Sequence, residues 1–213
     1  MNNAFNPDSS FWKWFSKIAD VLVLSLLWAL CCLPVLTIAP SCMALYDTVA
    51  RCIYGNEERP YKHFFGVLKA ELLRGIGISV LWGVIGFGLL MGYNVLAQIG
   101  KTNSFVAVYA TVYLATMLIP VAIFAWLVPI ETRFSHTFFS LHKTAATFAL
   151  MHLPTTGIML GILAVAVAVS VFIPILVLIL PGIVVTLQCR FIEKVFSRYI
   201  PEEQEGNTDD TAV

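Results

Sequence analysis

The chain has 213 residues, 59% hydrophobic and 12% charged, with a formal net charge of zero. Soluble domains carry about 25% charged residues, so there is too little polar surface here to cover a water-facing globule. A neutral chain without a Lys/Arg block also argues against a nucleic-acid surface. Five cysteines without a CxxC spacing give no zinc motif and read as reduced thiols serving as small hydrophobes.

In chain order, the first element predicted is a helix over "SSFWKWFSKIAD". Ser10, Lys13, Lys17 and Asp20 share one face, and Phe11, Trp12, Phe15 and Ile18 take much of the rest. Aromatics in this setting anchor at headgroup depth. Lys13 and Lys17 ahead of an apolar run imitate a signal peptide, but further apolar runs follow and cleavage is not expected. No Asp, Glu, Lys or Arg occurs in 21–46, 75–100, 102–130 or 144–189. A crossing needs about 20 apolar residues. The last run, about 69 Å as one helix, is expected to break at Pro174. Five spans result: 21–39, 75–98, 105–129, 153–171 and 175–191. The fold class is therefore all-α, a polytopic transmembrane bundle of about five spans with added interfacial amphipathic helices. It forms one membrane domain, 1–200, ahead of an acidic tail, 201–213, expected to be disordered.

Between the first two runs stands "LPVLTIAPSCMALYDTVARCIYG". Pro34 and Pro40 make a structural turn, expected at the interface or under a protein cover because a lipid-exposed break leaves backbone groups unpaired. Ser41 is a plausible N-cap for an amphipathic helix with an Asp47–Arg51 pair at i,i+4 and a stop at Gly55. The loop that follows carries Arg51, Arg59, Lys62, Lys69 and Arg74. Later connections carry Lys101 alone, then Arg133 and Lys143, then Arg190, Lys194 and Arg198. Lys and Arg mark the cytoplasmic side, which places the first long loop, the third loop and the C-terminus there. Two readings of the first run stay open. Its length favours a full crossing with the N-terminus extracellular, the reading adopted; the charge rule favours a re-entrant run with Lys13 and Lys17 inside.

The same stretch, followed by "YKHFFGVLKAELLRGI", resembles the YesL family, small bacterial multi-pass membrane proteins built around a domain of unknown function. "VPIETRF" and "ALMHLP" extend the likeness across nearly the whole chain. The adjacent Cys31 and Cys32 and the acidic tail depart from the pattern. The resemblance implies a bacterial cytoplasmic membrane, a neighbourhood of sugar ABC transporters and their regulators, and no catalytic residues.

The remaining side chains give few pointers. Small-residue stripes run through Gly75, Ser79 and Gly83, through Gly88 and Gly92, and through Gly157 and Gly161. Such stripes let helices approach closely within one chain, and the last two pairs also suit a homo-oligomer contact. Asn94, Gln98, Tyr109 and Tyr113 are the intramembrane polar groups, candidates for interhelical contacts such as Asn94–Tyr113 or for a polar cavity. Arg51, Glu131 and Arg133 mark the cytoplasmic interface. Glu131 and Arg133, two apart, do not face each other and should meet another loop or lipid phosphate. Glu71–Arg74 and Arg190–Glu193 have better spacing for local pairs. His63, His136, His142 and His152 show no metal-binding spacing. No cofactor and no enzyme chemistry are expected, Glu131 with His136 being the one faint candidate. The partners expected are the lipid bilayer and a sugar ABC transporter or membrane sensor. The function expected is that of a non-enzymatic accessory protein linked to carbohydrate uptake. The alternative is a small transporter or channel acting as an oligomer.

Overall fold

Proline decides where the first apolar run stops. The structure, a computed structural model, describes residues 10–55, 59–101, 104–134 and 137–197; the side chains of 10–14 and 104 are not described. The acidic tail, His136 and the side chains of Ser10, Phe11, Trp12 and Lys13 lie outside that description. Helix α1 (Ser10–Cys31) ends three residues before Pro34, and a single 3-10 turn follows over Val35–Thr37. The Thr37 hydroxyl lies within hydrogen-bond range of the carbonyls of Cys31 and Pro34. These are the acceptors that a helix end leaves open. Leu33 and Val35 are exposed, while Ala39 and Pro40 are buried. Thr37→Val should therefore lower stability by about 1 kcal/mol, read as a lower melting temperature in detergent.

The chain then doubles back. Helix α2 (Ile38–Thr48) runs antiparallel to α1, with Trp28 Nε1 donating to Cys42 Sγ at 3.4 Å and Lys17 Nζ donating to the Ile53 carbonyl at 2.8 Å. The expected span 21–39 is thus a helix end, a turn and a helix start. Pro40 falls in the first turn of α2, where its missing N–H costs nothing, and Ser41 lies inside the helix rather than capping it. Nine of the eleven α2 residues are buried, so α2 is the centre of the bundle and not the surface amphipathic helix its sequence suggests. It packs against α1 and four helices introduced below: α3, α4, α6 and α9. A π-turn (Val49–Tyr54) continues it and stops at Gly55, where any Cβ would strike the Arg51 carbonyl.

Helix α3 (Pro60–Ala70) opens on a proline, as first-turn positions favour, and α4 (Leu72–Gly100) follows at once. Helices α5 (Ser104–Thr116) and α6 (Leu118–Arg133) divide the expected third span at Met117. The cause is Pro120, whose ring crowds the carbonyl four residues back. The third loop is itself largely helix, α7 (Phe138–Met151), which buries Leu141, Ala145 and Ala149 at i,i+4 spacing. Helix α8 (Leu153–Phe172) ends where expected, and a 3-10 turn from Pro174 to Leu178 leads into α9 (Leu180–Phe196). Among the described residues no strand occurs. Three segments are long and apolar enough to cross a membrane: Leu72–Gly100, Phe105–Arg133 and Leu153–Phe172. The expected first and fifth spans are each divided by a proline-bounded turn.

Close approach explains one glycine of the predicted stripe. A Cβ at Gly75 would sit 2.6 Å from the Pro40 ring, whereas Gly83 has nothing within 4 Å. Between them Ser79 accepts from the Ala39 amide at 2.9 Å. Gly75→Val should separate α2 from α4 and cost about 2 kcal/mol, while Gly83→Val should leave the melting temperature unchanged. Equal losses at the two sites would refute this packing.

Candidate functional site

The charged side chains that the sequence scatters over five elements converge at one end of the bundle. Asp47 is 4% exposed, on the face of α2 that looks toward α3. Arg51 Nε donates to its Oδ1 at 3.0 Å, and His63 Nε2 lies 2.8 Å from its Oδ2. On the neighbouring face the Tyr46 hydroxyl donates to Glu193 Oε1 at 3.0 Å. The same oxygen receives Arg133 Nη2 at 2.8 Å and Nε at 3.1 Å. Burial, helped by Cys189 and Glu193 nearby, raises the Tyr46 hydroxyl well above the usual phenol range, so it stays a neutral donor. A third pair joins Arg74 Nε to Glu131 Oε1 at 2.7 Å, and the other Glu131 oxygen is buried without a partner.

These pairs tie α2 to α3, α6 to α9 and α4 to α6. A fourth tie joins α1 to α3 as Tyr61 donates to Asp20 Oδ1 at 2.6 Å. That bond to a carboxylate pushes the Tyr61 hydroxyl up to about 12. A consequence for exposure follows. Asp47 and Glu131 are buried and Glu193 is half-buried, while Arg51, Arg59, Lys62, Lys69, Lys143, Arg190 and Lys194 are exposed. Among the described residues, the exposed charges at this end are all cations.

Chemically the arrangement braces the helix ends through ion pairs and hydrogen bonds. Among the described residues no group of three or more His, Cys, Asp or Glu side chains is placed to hold a metal ion. His142 is occupied structurally. Its Nε2 accepts from Trp82 Nε1 at 3.2 Å, so Nδ1 carries the proton toward the Phe138 carbonyl at 2.8 Å. An aromatic cluster lies between α6, α7, α8 and α9, where Trp126 bonds Thr156 at 2.8 Å and packs against Phe148 and Phe196.

Two apolar clefts flank α6 and share Val121 and Phe124 in their walls. One, about 420 Å³, lies between the α1–α2 turn, α4 and α6; the other, about 590 Å³, lies between α6, α8 and α9 over a floor of Trp28, Leu45 and Tyr46.

The predicted site residues are placed as follows. Arg51, Glu131 and Arg133 all join the charged end; Glu131 and Arg133 are not paired with each other, and each meets a residue of another helix rather than a loop or lipid phosphate. Long-range pairs form at this end, Arg74–Glu131 and Arg133–Glu193. Asn94–Tyr113 does not form: Asn94 donates to the Leu90 carbonyl of its own helix, and Tyr113 donates to the Leu89 carbonyl at 3.2 Å. Gln98 and Tyr109 are exposed, and none of the four lines either cleft. A Cβ at Gly92 would meet the Tyr113 hydroxyl, whereas one at Gly88, Gly157 or Gly161 would have nothing within 4 Å. Sequence reasoning missed the roles of Tyr46, His63 and Glu193. The available signal was a few carboxylates set among apolar residues, each needing a partner from elsewhere in the chain.

A family model described as "Protein of unknown function, DUF624" matches residues 21–93. That segment covers the α1–α2 hairpin, α3 and most of α4. No curated protein and no solved structure matches the chain.

Proposed function

We propose that this chain is a multi-pass integral protein of a bacterial cytoplasmic membrane, of the kind the YesL resemblance implies. It would serve without catalysis as an accessory or interaction protein for carbohydrate uptake. The observation that carries the membrane reading is the exterior. In the three candidate spans only 11%, 22% and 11% of the apolar window is buried, and Phe87 and Phe172 are 64% and 86% exposed. In water such a surface aggregates, at about 25 cal/mol for each Å² left wet; in hydrocarbon it has no cost. Exposed cations gather at one end, which the charge rule assigns to the cytoplasm.

The α1–α2 hairpin supports the re-entrant alternative for the first run. Lys17 sits beside Ile53, at the same end as the basic loop, so the start of α1 joins the cytoplasmic side. On this reading α4, the α5–α6 pair and α8 are the crossings, and α9, shorter and not one of the three candidate spans, returns the chain to the charged end. Cysteines introduced as Lys17→Cys, Lys62→Cys and Lys101→Cys test this in a cysteine-free background. An impermeant thiol reagent on intact cells should label only the Lys101 site. Labelling of the Lys17 site there would restore the full crossing.

The accessory role rests on the braced end with its outward cations, and the link to sugar uptake on the resemblance. Both clefts are apolar, which supports this reading over a polar conduction path. Affinity purification of the full chain in mild detergent should recover a transporter or sensor subunit in stoichiometric amount. Recovery of the chain alone would overturn the role.

A further inference from the structure

The neutral chain joins two parts of opposite charge. All 13 Lys and Arg and eight of the 13 Asp and Glu precede residue 199, so residues 1–198 carry +5 and residues 199–213 carry −5. The tail's acids are Glu202, Glu203, Glu205, Asp209 and Asp210. In the folded part, the packing brings exposed cations from three elements side by side. The Tyr54 hydroxyl of the π-turn donates to the Thr186 carbonyl of α9 at 2.8 Å. Arg190 stands one turn beyond Thr186 on the same face, and Lys194 one turn further. Arg51 belongs to the same π-turn, and its partner Asp47 also holds His63, the neighbour of Lys62 on α3. Arg51, Lys62, Arg190 and Lys194 are all exposed and form an arc around the π-turn. The described acids that border the arc are engaged: Asp47 by Arg51 and His63, Glu193 by Arg133 and Tyr46, and Asp20 by Tyr61. Glu71 is half-buried where α4 begins, and Glu57 and Glu58 lie outside the described residues.

We propose that the acidic tail, 199–213, docks on this arc as a ligand of its own chain and covers the cations that an acidic partner would otherwise meet. The proposal goes beyond the accessory role and does not rest on it. Position, sign and tethering favour this occupant. The tail departs from the end of α9, the helix that carries Arg190 and Lys194. Arg190 lies about 10 Å from Ser197 along the helix, and the 16 residues from 198 to 213 can span up to about 55 Å. The tail sets five acids and no Lys or Arg against an arc of exposed cations. A single exposed ion pair is weak. A tethered segment, however, meets its site at an effective concentration of about a millimolar, so a few weak pairs hold it there. A free anion has no such advantage.

A spin label at Asn207→Cys reads the contact, in the full chain freed of its own cysteines and held in phosphatidylcholine nanodiscs. The label should be largely immobilised at about 0.1 M salt, where charges act over about 10 Å, and released at about 1 M, where they act over about 3 Å. Lys62→Gln/Arg190→Gln/Lys194→Gln removes three exposed charges that tie no helices together. It should lower the docked-to-free ratio about tenfold, while Lys101→Gln, at the other end of the bundle, should leave the ratio unchanged. A second measurement needs no cysteine replacement. Carbodiimide coupling of the wild-type chain should join a tail carboxylate to Lys62 and not to Lys101, as read by mass spectrometry. A label that moves freely at low salt, or a tail that never couples to Lys62, would overturn the proposal and leave the cations to lipid headgroups or a separate partner. Equal docking by the triple variant and the Lys101 variant would overturn the arc as the site.

Discussion

Trp126→Ala should cost about 3 kcal/mol and clearly lower the melting temperature in mild detergent. Trp126 is fully buried, and its ring is the shared contact of Phe148, His152 and Phe196. On the proposed membrane reading the loss does not come from transferring the ring out of water. It comes from the cavity left among rigid neighbours that forfeit their dispersion contacts. The hydrogen bond is a smaller part, because Thr156 keeps the Ala149 and His152 carbonyls, each at 3.0 Å, as acceptors. Trp126→Phe should therefore recover most of the stability. Val165→Ala, on the outside of α8, should melt like the wild type. If Trp126→Ala melted like Val165→Ala, the cluster would not be what joins α7, α8 and α9 to α6.

Arg74→Ala should cost about 3–5 kcal/mol, because it leaves the Glu131 carboxylate buried with neither oxygen paired. The Glu131 side chain is 2% exposed and that of Arg74 is 36% exposed, so the two halves of the pair are not equivalent. Glu131→Gln leaves an arginine that water can still reach, and its cost should be smaller. The double variant Arg74→Ala/Glu131→Gln should then be more stable than Arg74→Ala alone. Denaturant titration of the four proteins measures the coupling. Additive losses would mean that the 2.7 Å contact carries no interaction of its own.

These two sites were unequally legible. Glu131 and Arg133 stood out as charges at the end of an apolar run, and i,i+2 spacing was enough to rule out a mutual pair. Their partners were not readable, since Arg74 and Glu193 lie about 60 residues away and each had a nearer decoy at i,i+3. Local spacing competes with tertiary contact at such positions, and a buried carboxylate takes whichever cation the packing brings within reach. Trp126 gave no signal at all in an apolar window where every residue looks alike. Asn94 and Tyr113 were over-read: a side chain in a helix can satisfy itself on the carbonyl four residues back, as Asn94 does.

The α2 segment marks the boundary most clearly. By itself the sequence determined the all-helical class, the apolar runs long enough to cross a membrane, the proline-bounded turns at 34 and 174 and the asymmetry of its cations. These follow from composition, from a ring without an N–H and from a charge that avoids hydrocarbon, all properties of single residues or short windows. Only the tertiary structure decided that the hairpin folds back, that α2 lies at the centre with Asp47 inside, and that α6 stands between two clefts. Those depend on which helix faces which, and between uniformly apolar helices that choice is made by close packing, such as Pro40 on Gly75, because hydrophobicity alone does not distinguish one greasy face from another.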